Sequence, residues 1–226
     1  MTEDTQSARL AAVASIHDPL RRALFDFISA SGTPVGRDEA AQALGMARGT
    51  AAFHLDRLVD DGVLIVEFKR LSGKTGPGSG RPAKLYRRAS DEILVSIPER
   101  HYDLAGSLLA SSIEESDRTG EPVREALSRV ATESGRRIGE RAGTLQNALV
   151  LGGYEPREDA SGGMILANCP FHSLATTHTE VICHANLSLL NGVAEGAKDT
   201  DHEIIFEPCD GQCCVRIASR PDATAS

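Results

Sequence analysis

The chain has no tryptophan, only three tyrosines and six phenylalanines, and an aromatic content of 4% across 226 residues. Leu, Ile, Val and Ala must therefore fill the core. No apolar run approaches the roughly 18 residues that a membrane-spanning helix needs, and the opening MTEDTQSARL lacks the basic-then-apolar order of a signal peptide. A cytoplasmic protein with no membrane contact is expected. The sequence also lacks G-x-S-x-G, a phosphate-binding loop and a dinucleotide fingerprint, and no paired carboxylates stand out, so no enzyme is expected. Cysteine is missing from the first 168 residues, and the five that follow are Cys169, Cys183, Cys209, Cys213 and Cys214. An odd count in a reducing compartment excludes a disulfide scaffold.

What is present is an ordinary globular composition, with 41% hydrophobic and 25% charged residues, in a chain long enough for more than one domain. The net charge of -8 argues superficially against nucleic acid, but it is unevenly spread. Residues 1–90 carry 13 Lys and Arg against 10 Asp and Glu, a balance of +3, while the remainder carries -11. Between Lys69 and Arg88 there are seven basic residues and no acid.

The pattern of elements divides the chain into three expected regions. In residues 1–90, Asp18-Pro19 is a helix start, because the carboxylate caps free backbone donors and proline forfeits a donor that had no partner. Leu20, Leu24, Phe27 and Ile28 then recur at helical spacing up to Ser31-Gly32. Shorter helices are expected over residues 38–44 and 48–61, the last stopped by Gly62. Val63 to Val66 reads as a strand, residues 73–80 as a glycine-rich loop, and Lys84 to Tyr86 as a returning strand. Helix, helix, turn, helix and hairpin is the order of a winged helix-turn-helix. Residues 91–152 read as a helical linker and dimerisation region, with helical stretches over 98–117 and 122–151. Residues 153–226 read as a small cysteine-containing α+β domain, with strands at 164–166, 204–206 and 215–217 and a helix over 179–196. The predicted fold class is α+β throughout, and the two ends, including residues 1–7, are expected to fray.

In a helix-turn-helix the second helix of the motif enters the major groove. The outward side chains there are Arg48, Thr50, His54 and Arg57. Arg48 suits guanine and Thr50 a phosphate or a thymine methyl. Arg70, Lys74, Arg81 and Lys84 on the hairpin suit phosphate neutralisation. A purely structural or protein-binding module with a solvated charged face is the competing reading.

The cysteines are too far apart for paired C-x-x-C zinc hooks: thirteen residues separate Cys169 from Cys183, and twenty-five separate Cys183 from Cys209. Such spacing suits a site assembled by folding of a whole domain, and iron–sulfur clusters are held by thiolates, usually four. Cys213 and Cys214, read as strand residues, point to opposite faces, so one ligand is expected from the pair. His172, His178 and His184 are alternative nitrogen donors, and inert buried cysteines are the bland alternative.

Two resemblances sharpen these expectations. Residues 18–88, with GTAAFHLDRLVDDG and SGRPAKLYR, resemble the winged-helix domains of ArsR-type bacterial transcriptional regulators. Residues 149–217, with LGGYEPRE, NCPFHSLATTHTEVICHANLSLLNG and CDGQCCVRI, resemble the sensory domain of SufR-like iron–sulfur repressors. The resemblance implies a homodimeric repressor on double-stranded operator DNA, sensing redox state through a [4Fe-4S] or [2Fe-2S] cluster. It implies Cys169 and Cys183 as ligands, with one or two of Cys209, Cys213 and Cys214; the expected set is Cys169, Cys183, Cys209 and Cys213. A Zn²⁺-responsive repressor and a thiol redox enzyme are the rival functions.

Overall fold

Asp18 accepts hydrogen bonds at one carboxylate oxygen from the backbone N–H of Leu20 at 2.9 Å and of Arg21 at 3.0 Å, and Pro19 opens the helix behind it. The computed structural model describes residues 3–69, 82–89, 92–209 and 212–220. Among them are nine helices and two antiparallel sheets, a mixed α+β fold divided into two compact units, Met1–Val95 and Ser96–Ser226. None of the helices among the described residues is long and apolar enough to cross a membrane.

The first unit contains α1 (Glu3–Ser15), α2 (Pro19–Ser31), β1 (Val35–Gly36), α3 (Arg37–Ala43), α4 (Arg48–Asp60), β2 (Leu64–Lys69) and β3 (Ala83–Arg88). The sheet order is β1-β3-β2, with Val66 opposite Tyr86 and Val35 opposite the same tyrosine on its other side. Leu24 and Ile28 of α2, Ala51, Leu55 and Leu58 of α4, and Leu64 and Tyr86 of the sheet close one buried core. The i, i+4, i+7 spacing of the α4 residues puts them on one stripe. Helix α1, which the sequence pattern does not mark, spans Glu3–Ser15 and buries Ala12 against this core. The glycine-rich loop lies outside the described residues.

The second unit contains α5 (Tyr102–Thr119), α6 (Val123–Ala142), α7 (Leu145–Leu151), β4 (Pro156–Glu158), β5 (Met164–Leu166), α8 (His172–Thr177), α9 (Thr179–Gly196), β6 (His202–Phe206) and β7 (Val215–Ser219). The helical stretch expected over 122–151 is two helices. Gly143 ends α6 at φ 78°, a left-handed backbone that glycine tolerates, and the Thr144 hydroxyl caps α7 by accepting from Asn147 N–H at 3.2 Å. The sheet order is β4-β5-β7-β6. Asp159 pins the β4–β5 turn to β7 through Arg216 at 2.6 Å, while also accepting from Ser161 and Gly163 N–H.

Helix α6 crosses α9 at backbone contact. A Cβ built on Gly135 would collide with the Leu189 carbonyl, one on Gly139 with that of Val193, one on Gly192 with that of Thr132, and one on Gly196 with that of Arg136. Two glycine pairs spaced by four, one on each helix, thus form the seam. Thr132 Oγ1 adds a hydrogen bond across it to Ser188 O at 3.2 Å. Within the region expected as a linker and dimerisation element, α6 therefore spends one face inside its own unit.

Candidate functional site

The cysteine-bearing segments are each fixed by backbone hydrogen bonds. Cys169 follows β5 in a loop held by Arg100, whose guanidinium donates to Cys169 O at 3.2 Å and to the Asn168 side chain. Asn168 Nδ2 donates in turn to Gly153 O at 2.5 Å and Glu99 O at 3.1 Å. Cys183 lies one turn into α9 and is buried. Cys213 N–H donates to Leu166 O at 3.0 Å, and Cys214 O accepts from Glu207 N–H at 2.9 Å, so both residues are tied to the sheet.

Among these cysteines, Cys213 acts on the proton affinity of Cys169, and Cys214 on that of both Cys213 and Cys183. Cys169, Cys183 and Cys213 are buried and Cys214 is half-buried. The backbone N–H of Phe171 lowers the Cys169 thiol and that of Val215 the Cys213 thiol, while Asn186 Nδ2 donates to Cys213 Sγ at 3.3 Å. Hydrogen-bond donors aimed at sulfur favour the charged, ligating thiolate.

Of the three later cysteines, the expected set takes Cys209 and Cys213. Cys209 is exposed, whereas Cys213 is buried and Cys214 half-buried. The expectation that only one of Cys213 and Cys214 would face the site assumed strand geometry. Both residues precede β7, which begins at Val215, so strict alternation does not apply to them. The three histidines stand apart: His172, His178 and His184 are all exposed, and His184 stacks on Phe206 with centroids 5.0 Å apart.

Proton affinities at the site are high. The hydrogen bond with Cys213 and then burial push the Cys169 thiol up. For Cys213 the bond with Cys169 pulls downward most strongly, but Cys214 and burial outweigh it and the thiol is pushed up to about 12. Burial raises Cys183 against an opposing bond from Cys214. Among the described residues, no three of His, Cys, Asp and Glu are spaced as ligands of a single ion. Cys169, Cys183, Cys213 and Cys214 are a soft sulfur donor set of the kind that both iron–sulfur clusters and zinc take.

In the first unit, the outward face of α4 carries the side chains expected to meet a duplex. Arg48 is exposed and paired with Asp38 at 2.5 Å; Arg57 is exposed and paired with Asp61 at 3.2 Å. Exposed pairs of this kind are worth little and exchange readily for another anion. Thr50 is half-buried. The His54 ring is also half-buried and its Nδ1 has no hydrogen-bond partner among the described residues. Beside it stands Phe53, 67% exposed and edge-on to the His54 ring at 5.2 Å. Sequence reasoning passed over Phe53, although its position three residues after Thr50 and four before Arg57 places it on the same face. Arg70, Lys74 and Arg81 lie outside the described residues.

Lys84 is engaged within its own unit. Its ammonium meets Asp56 Oδ1 at 2.5 Å, the oxygen that also accepts from the Tyr86 hydroxyl at 2.8 Å, and it lies 5.3 Å from the centre of the Tyr86 ring. Partial burial, the largest single influence, raises the Asp56 carboxyl, but the bonds from Lys84 and Tyr86 together outweigh it and leave it below its ordinary value of 3.8. Replacing Asp56 by Ala removes the acceptor of a tyrosine that is 1% exposed. An expected loss of about 1–2 kcal/mol should appear in urea denaturation of the variant. In the parent, because the folded value is the lower one, this contribution is whole above pH 3.8 and fades as the pH falls beneath it.

No family model, curated protein or solved structure matches this chain.

Proposed function

We propose that the chain is a DNA-binding transcriptional repressor whose operator affinity depends on an iron–sulfur cluster held by Cys169, Cys183, Cys213 and Cys214. The observation that carries this reading is a set of buried and half-buried cysteines borne by a loop, a helix and the approach to a strand, with the Asn186 amide donating to the sulfur of Cys213. The helix order of the first unit supports the DNA half: α3 and α4 form a helix-turn-helix, β2 and β3 its wing, and the outer face of α4 offers Arg48, Thr50, Phe53 and Arg57 to a major groove. A bound cluster would supply a redox-sensitive group whose presence or charge differs between two regulatory states. The chain's own residues hold it, tie the cysteine loop to the sheet through Arg100 and Asn168, and keep the site enclosed.

The active form is taken as a cytoplasmic homodimer, since two-fold proteins match palindromic half-sites. The exposed Ile113 and Val123 of α5 and α6 are surfaces open to a second copy. Differential affinity of the two cluster states for one DNA-binding geometry is sufficient to switch the operator.

Anaerobic purification, with an absorption spectrum and iron and sulfide assays, tests the cluster; a duplex selected from random DNA, bound with and without the cluster, tests the switch. A colourless protein containing zinc in place of iron would favour the metal-responsive alternative. Arg48→Ala is expected to narrow the affinity ratio between the selected duplex and random DNA by about tenfold, equivalent to losing one good base contact. Equal weakening on both duplexes would remove Arg48 from base reading.

A further inference from the structure

Asn186 is 1% exposed in the middle of α9, a position where a carboxamide needs partners for every polar atom. It has two that are chemically distinct. The Tyr154 hydroxyl donates to its Oδ1 at 2.5 Å, and its own Nδ2 donates to Cys213 Sγ at 3.3 Å. Tyr154 is itself 4% exposed, in the turn after α7. The three groups form a directed line from phenol to amide to sulfur. The tyrosine hydroxyl fixes which end of the carboxamide faces the cysteine, because only the oxygen can accept from it.

A neutral thiol is a weak acceptor, and an amide directed at one gains little. The bond strengthens as the sulfur gains negative charge, as it does on ligating iron and further when the cluster is reduced. A buried Tyr–Asn pair aimed at one sulfur therefore stabilises the more negative state of whatever that sulfur holds.

Resting on the cluster reading above, we propose that Asn186, oriented by Tyr154, is a positioning residue that hydrogen-bonds the ligating sulfur of Cys213 and raises the reduction potential of the cluster. Cys169 and Cys183 lack such a side-chain amide among the described hydrogen bonds, so the influence enters at one corner of the site. Hydrogen bonds to cluster sulfurs are among the factors that set potential, and outer partners of ligands act this way in metal sites generally.

The test is a potentiometric titration of the full chain after anaerobic reconstitution, with dithionite supplying the electron, in the parent, Asn186→Leu and Tyr154→Phe. Asn186→Leu is expected to bind the same iron and sulfide as the parent but to lower the reduced-to-oxidised ratio at fixed potential by about tenfold, a shift of ~59 mV to the negative side for one electron. Tyr154→Phe keeps the amide and loses only its orientation, so a smaller shift in the same direction is expected. If Asn186→Leu does not fold, as judged by circular dichroism, Tyr154→Phe decides alone. Unchanged midpoints at parental iron content would overturn the proposal and leave the cluster reading standing. A parent protein that takes up no iron and sulfide would overturn both.

Discussion

Serine in place of Cys169, Cys183 or Cys213 is expected to strip the anaerobically reconstituted protein of its visible chromophore and reduce its iron to background, because a cluster deprived of a core thiolate is rarely retained. The discriminating pair is Cys214→Ser and Cys209→Ser. Cys214 is half-buried and acts on the proton affinity of both Cys183 and Cys213, so its loss should lower iron content severalfold at least. Cys209 is exposed, and its substitution should leave spectrum and iron unchanged. The reverse result, colour kept without Cys214 and lost without Cys209, would return the fourth position to Cys209. Parental iron in all five variants would reduce the cysteines to core packing and leave the DNA-binding proposal to stand by itself.

The second large effect concerns folding. Gly192→Val and Gly139→Val each place a branched side chain where the backbone of the facing helix already lies. A backbone obstruction cannot be relieved by a rotamer change, so α6 and α9 must separate and open the core that Leu127, Leu189 and Val193 share. The expected cost is about 3 kcal/mol or more, at the upper end of overpacking, and it should lower the melting midpoint of the second unit by ~6–12 °C. Gly106→Ala supplies the contrast. Gly106 sits within α5 with nothing within 4 Å of an added Cβ, so alanine there should stabilise by roughly 0.5–1 kcal/mol through helix propensity. Equal tolerance at Gly106 and Gly192 would contradict the close crossing.

Local signals in the sequence carried over well into the fold where a single residue decides the geometry. Asp18-Pro19 and Gly32 bound α2, and Gly62 follows α4 at φ 73°, because capping and left-handed backbone are chemistry of the residue itself. The glycines at 135, 139, 192 and 196 carry no such local meaning. Their role appears only when two distant helices are laid together, and in the sequence they merely dilute an apolar stripe. The break between α6 and α7 was hidden in the same way, since Leu145 and Leu149 continue the helical spacing across Gly143-Thr144. At the site, Cys169, Cys183 and Cys213 were legible as chemistry-bearing residues. The alternation that would place Cys213 and Cys214 on opposite faces belongs to strands, and both precede β7; Asn186 and Tyr154 give no signal in the sequence, because a buried amide is recognised by its partners and not by its neighbours in the chain.

Asp56 receives Lys84 and Tyr86 on one oxygen, and it thereby bolts the middle of α4 to the returning strand of the hairpin. Helix and hairpin then behave like the jaws of a fixed-gauge caliper. For the proposed regulator, the distance along a duplex between the bases met by α4 and the phosphates beside β3 is set by the unit itself and does not adapt to the sequence gripped. Inserting one base pair inside a half-site should abolish its recognition, while adjustment to operators of different length is left to the spacing between two copies of the chain.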